Sequence, residues 1–221
     1  TLLAVVIFVS AQDDHLATME SLSAYLDQIA SAPAEEATAM VDVLWNNYLI
    51  PTHSIPFVRG GDVAFLYLGD ENTRKVEWRG DFTAWESDDR FVGERVGETD
   101  LWVVYFQFPT TARLDYKIVL NGGTWILDPN NPYQQAGGFG ANSELRMGDY
   151  VPSPFIVRDE TIAKGRVRGP YRLQSDALGY AVNYSVYLPV GYADLEALPT
   201  IYVLDGHEYA NDDMGSMVTV L

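Results

Sequence analysis

The apolar residues of this 221-residue chain change their repeat part-way along, and that change limits the folds open to it. Leu16, Met19, Leu22, Leu26 and Ile29 recur every three or four residues, as do Ala37, Met40, Val41, Leu44 and Tyr48. Each set forms one stripe of an amphipathic helix, and Ser31-Ala32-Pro33 breaks the first from the second. Asp13 and Asp14 stand where the first helix needs a cap. From Val63 the period becomes two. Val63–Leu68, Lys75–Trp78 and Leu101–Phe108 read as strands. Leu114, Tyr116, Ile118 and Leu120 alternate with more polar residues, the pattern of a strand buried on one face. Asn121-Gly122-Gly123 closes that strand onto Thr124–Leu127, since Asn and Gly accept the positive φ of a tight hairpin. Short strands at this spacing predict a β-sandwich preceded by a short helical region.

A third pattern follows. Thr161–Leu173 and Gly179–Leu188 read as paired strands turned at Ser175-Asp176 and Gly179. Thr200-Ile-Tyr-Val-Leu204 is a nearly continuous apolar run, which suits a strand buried on both faces of a parallel sheet. Asp205-Gly206 sits at its carboxyl end, where open α/β sheets place ligands. Asn211-Asp212-Asp213 can cap a helix through Met214, Met217, Val218 and Leu221.

Composition removes several functions. Acidic residues outnumber basic ones, 31 to 14, and the net charge is −17. A phosphate-binding surface needs clustered Lys and Arg, so no nucleic-acid partner is expected. There is no Cys, which excludes disulfides, thiolate metal sites and a Cys nucleophile. His15, His53 and His207 show no metal-ligand spacing. Asp88-Asp89, Asp128-Asn130 and Asp212-Asp213 lack the order of a calcium loop and read as solvated turns. No metal and no cofactor are expected. Gly137-Gly138-Phe139-Gly140 lacks the strand, helix and Lys of a phosphate loop. Thr1–Val9 is apolar but too short to span a bilayer. Val9-Ser10-Ala11 matches a signal-peptidase site. The expectation is a signal-peptide remnant, export to the periplasm or beyond, and no stable membrane anchor.

The string "SVYLPVGY…LPTIYVLDGHEYA" (Ser185–Ala210) resembles the opening of the esterase-D-like branch of the α/β-hydrolases, especially the enterochelin-esterase-like proteins. "WRGDFTAW" (Trp78–Trp85) and "LDYKIVLNGGTWILDPNNP" (Leu114–Pro132) resemble the early-set, immunoglobulin-like domains related to glycogen-binding modules. "NSELRM" with Tyr150 resembles the linker of the same esterases. The cleavage pattern marks a signal-peptide remnant at 1–11 and the helical periods a helical segment at 12–50, and the resemblance implies an early-set β-sandwich at 51–135. A linker at 136–158 and the N-terminal part of a hydrolase domain at 159–221 would follow.

The resemblance also implies an exported carboxylic ester hydrolase acting on siderophore-type or other aryl and acyl esters. Plant-cell-wall feruloyl or acetyl-xylan esters are the alternative within that chemistry. A carbohydrate-binding or adaptor module is the alternative outside it. A G-x-S-x-G nucleophile elbow occurs nowhere in the chain, so the triad is expected beyond Leu221 and the chain alone is expected to be inactive. What remains by the resemblance is one oxyanion donor, the backbone N–H after Asp205-Gly206, which points to Gly206 and His207. Trp85, Trp125 and Tyr209 are candidate substrate contacts. Trp78, Trp85, Trp102 and Trp125 could stack on sugar or catechol rings, but aromatics bury much area, and filling the sandwich core or covering the domain joint is the favoured reading for each.

Overall fold

The computed structural model describes residues 16–212 and 214–221, in two units. The signal-peptide reading, the Asp13/Asp14 cap, His15 and Asp213 lie outside the described residues. The first unit extends to Gln134 and takes up the chain again over 142–150; the second comprises 135–141 and 151–221.

In the first unit the helical periods become α1 (Met19–Ser31) and α2 (Ala34–Asp42), the latter running on as π-helical turns over Val43–Leu49. Thr18 caps α1: its Oγ1 accepts from Ser21 N at 3.1 Å, while Ser21 Oγ accepts from Thr18 N at 3.1 Å. Those reciprocal bonds satisfy donors that a helix start otherwise leaves unpaired.

The strands are β1 (Phe57–Arg59), β2 (Asp62–Leu68), β3 (Val76–Gly80), β4 (Glu94–Arg95), β5 (Leu101–Gln107), β6 (Arg113–Leu120), β7 (Thr124–Ile126), β8 (Gln134–Gln135) and β9 (Asn142–Arg146). They form two antiparallel sheets, ordered β1-β2-β5-β4 and β3-β6-β9-β8, with β7 hairpinned onto β6. The hairpin expected at Asn121 is present, with Asn121 at φ 53. The segment expected to be linker holds β9, with Ser143, Glu144 and Leu145 buried in the second sheet. The flanking glycines masked a five-residue strand.

The layers explain β2. Its even residues, Ala64 and Leu66, face the helices together with Leu22, Leu26, Leu44, Leu101 and Val103. Its odd residues, Val63 and Phe65, face the second sheet together with Trp78, Tyr116, Ile118 and Leu145. Helices cover one side of the sheet and a second sheet covers the other, so both sides are apolar. Phe65 sits at the centre of the inter-sheet core, 5.3 Å from the Tyr116 ring and 5.8 Å from Trp78.

The second unit holds one antiparallel hairpin, β10 (Arg166–Ser175) with β11 (Tyr180–Leu188). The strand expected over 200–204 does not form. Among the described residues the segment has no strand partner, and Tyr202 and Leu204 are 93% and 86% exposed. A strand exists only through its hydrogen-bonded neighbour, and the two strands described in this unit pair with each other. No parallel pair occurs among the described residues. The helix expected from Asn211 reduces to the short α4 (Met217–Val220).

Candidate functional site

Around Asp205 the chain turns sharply. Asp205 adopts the left-handed conformation, φ 53 and ψ 36, and directs the next residues into a single helical turn, α3 (Gly206–Tyr209). Its carbonyl accepts from Glu208 N at 2.9 Å and from Tyr209 N at 3.2 Å, and Ala210 N reaches Gly206 O at 2.9 Å. The His207 N–H meets no acceptor among the described residues. Over Gly206 the space is open: a Cβ there would touch nothing within 4 Å. The turn therefore presents a backbone donor beside a residue without a side chain, an arrangement able to receive an oxyanion.

The surrounding side chains shape this turn. The His207 ring is exposed, with Nε2 3.5 Å from Glu208 Oε1. A Cβ on Gly138 would meet only the Glu208 carboxylate, the end of a flexible side chain. Tyr209 is half exposed and backed by Gly215, whose Cβ would fall 2.5 Å from Tyr209 Cα. Ser216 Oγ donates to Asp212 O at 2.7 Å. Among the described residues no serine hydroxyl bonds to His53 or His207, so no nucleophile–base pair is assembled.

The aromatic candidates separate clearly. Trp78 and Trp102 are buried in the inter-sheet core. Trp85 is half-buried with φ 66, and its Nε1 donates to Asp81 Oδ1 at 3.2 Å. Trp125 stays 43% exposed on β7, opposite Val119 in β6, with the Arg79 guanidinium 5.4 Å from its ring. Arg79 in turn pairs with the buried Glu77, which also accepts from Lys75 Nζ at 2.5 Å and Ser87 Oγ at 2.9 Å. Trp85 and Trp125 make no ring contact with each other among the described residues.

One polar cluster escaped the sequence reading. Asp128 is not a solvated turn residue; it is 1% exposed. Tyr116 Oη donates to its Oδ2 at 2.7 Å, Asn130 N donates to Oδ1 at 3.1 Å, and its own N–H bonds Ser143 Oγ at 2.8 Å. Asn131 Nδ2 donates to Tyr116 Oη and to Glu144 O, each at 3.0 Å. Burial pushes the Asp128 carboxyl up to about 6, against the opposing pull of the Tyr116, Asn130 and Asn131 hydrogen bonds. The signal was present in Tyr116: a tyrosine at a core position of an alternating strand needs a partner for its hydroxyl.

No family model matches this sequence, and no curated protein matches it. Solved structures do. The chain is similar to an enterochelin esterase from Shigella flexneri, 16% identical, over 74% of this chain and 49% of that one, with a TM-score of 0.43. It is similar to a ferric enterobactin esterase from Salmonella typhimurium, 19% identical, over 55% of this chain and 40% of that one, with a TM-score of 0.42. The S. flexneri enterobactin esterase solved in the presence of enterobactin is 18% identical over 55% of this chain and 38% of that one, with a TM-score of 0.37. The chain spans less than half the length of each.

Proposed function

We propose that this chain is the N-terminal part of an exported serine ester hydrolase acting on siderophore-type or other aryl and acyl esters. Its sandwich is of the immunoglobulin-like early-set kind. Its second unit supplies the opening of an α/β-hydrolase domain. The nucleophile, acid and base lie in further residues of the same protein. In this reading His207 N–H, with Gly206 leaving the approach open, is half of the oxyanion hole that a Ser-bound tetrahedral intermediate requires. The observation that carries it is the uncommitted His207 N–H at the left-handed Asp205 turn. It falls on the same residues whose sequence, Leu-Asp-Gly-His, resembles the oxyanion loop of the esterases. Feruloyl or acetyl-xylan esters are the alternative substrates of the same machinery.

The test is p-nitrophenyl acetate hydrolysis, measured for this chain and for the protein extended through its downstream coding sequence. The extended protein should turn over and this chain should not. In the extended protein His207→Ala keeps the backbone N–H and should retain activity. His207→Pro removes the N–H where the first helical turn tolerates Pro, and should lower kcat by roughly 10²–10³-fold. Equal losses in the two variants would show that the ring acts, and would sink the backbone assignment.

One observation favours a second reading, a carbohydrate-binding or adaptor module: Trp125 remains exposed with Arg79 against it. An exposed indole on a sheet is a platform for a sugar ring. Glucan and xylan binding by the chain, compared with Trp125→Ala and Trp85→Ala, decides it; affinities that do not change would remove both residues as contacts.

A further inference from the structure

Asn121 does more than turn the β6–β7 hairpin. It precedes Gly122, and an asparagine before a glycine carries an unusually reactive carboxamide: the backbone nitrogen of the glycine can attack the asparagine Cγ with no side chain in the way. Here a Cβ on Gly122 would touch nothing within 4 Å, and the Gly122 N–H meets no acceptor among the described residues. Both residues are exposed to solvent. The attacking nitrogen is therefore uncommitted and open to water.

The carboxamide is held. Asn121 Oδ1 accepts from Arg74 N at 2.7 Å and from Lys75 N at 3.2 Å, and Nδ2 donates to Asn72 O at 3.1 Å. Its backbone is held as well: Asn121 N donates to Lys75 O at 2.9 Å, and Gly123 N donates to Leu120 O at 3.1 Å. One residue thus ties the β6–β7 turn to the loop that enters β3. Two N–H donors on Oδ1 would favour the oxyanion formed in an attack on Cγ, but the attack also has a geometry to meet. Bringing Cγ onto the Gly122 nitrogen requires rotation about Cα–Cβ and about Cα–C. The first rotation breaks the three carboxamide bonds. The second takes Asn121 out of the left-handed conformation, φ 53, on which the turn depends. Reaction therefore passes through an opened hairpin, and its rate scales with the open fraction.

We propose that Asn121 is a latent deamidation site, closed by the hairpin and converted when the turn opens. Gly122 N gives up its proton to solvent and forms a bond to Cγ. The Cγ–Nδ2 bond breaks, and Nδ2 leaves as ammonia after taking up a proton. Water then opens the five-membered imide at either carbonyl, which gives aspartate or isoaspartate. No electrons are exchanged, and water is the one reagent consumed. Aspartate still offers an acceptor to Arg74 N and Lys75 N, but it sets an oxygen against Asn72 O where an N–H stood. Isoaspartate inserts a methylene into the backbone, which a three-residue turn between the paired Leu120 and Thr124 does not absorb in register. Conversion is one-way, and its isoaspartate product frees β7, with Trp125, from β6. The inference does not rest on the ester-hydrolase reading.

Peptide mapping by mass spectrometry tests it on the whole chain, incubated at neutral pH in buffer and in guanidinium chloride that unfolds the first unit. Asn121 should convert in the denaturant and about tenfold or more slowly in buffer. Hydrogen exchange of the Arg74 amide, which donates to Asn121 Oδ1, gives the open fraction without any variant. The ratio of the two conversion rates should match that fraction within about threefold. In the separated isoaspartate form the Gly123 amide should lose its protection while the amides pairing β2 with β5 keep theirs. No conversion in denaturant, equal rates in the two conditions, an unprotected Arg74 amide, or an isoaspartate form with Gly123 as protected as before would each overturn the proposal.

Discussion

Asp128 should make the first unit less stable as pH rises, opposite to the behaviour of a salt-bridged carboxylate. Its folded value, about 6, lies above the ordinary 3.8 because burial disfavours the charged form. A group raised on folding contributes stability that is fully present below 3.8 and is lost as pH rises through 6. The gap is roughly two pH units at 1.36 kcal/mol each, about 3 kcal/mol in all; about 2 kcal/mol of it falls between pH 4 and pH 7.5.

Asp128→Asn removes the titration. It also leaves one of the two donors, Tyr116 Oη or Asn130 N–H, facing an amide NH₂, at a pH-independent cost of about 1–3 kcal/mol. All 5 tryptophans precede Gln134, so tryptophan emission during urea unfolding reports the first unit alone. The parent chain should exceed the variant in stability at pH 4, and that excess should shrink by about 2 kcal/mol by pH 7.5. An excess that stays constant, or grows with pH, would refute the claim that Asp128 is buried at the cost of its charge.

Three other perturbations follow from the packing. Gly80 pairs with Tyr116 where a Cβ would overlap the Asp115 carbonyl oxygen, so Gly80→Ala must spread β3 from β6 and should destabilise the unit by about 3 kcal/mol in the same urea assay. Phe65→Ala empties the centre of the inter-sheet core and should cost about 4 kcal/mol; a loss below about 1 kcal/mol would show that the core collapses around the hole. Limited proteolysis should cut beyond Tyr150 first, because the last buried residue described is Met147 while Val167, Leu173, Tyr202 and Leu204 lie exposed; survival of an intact 161–221 segment, read by mass spectrometry, would contradict that picture.

Local chemistry alone settled much of this protein. The change of period placed both helices and most strands of the first unit, because side chains on a helix and on a strand can reach a core only at their own spacing. Asn121 and its glycines placed the hairpin, since a positive φ is a property of single residues. A continuous apolar run was harder to interpret. Two-sided burial explains it at β2, where helices lie on one side and a sheet on the other. The same pattern at Thr200–Leu204 has no strand to pair with among the described residues and stays exposed. Tertiary packing also decided which tryptophans became core, drew the Asn142–Arg146 segment into a sheet, and took Asp128 out of water. Those outcomes depend on which distant groups meet, and spacing along one chain carries no information about a partner tens of residues away.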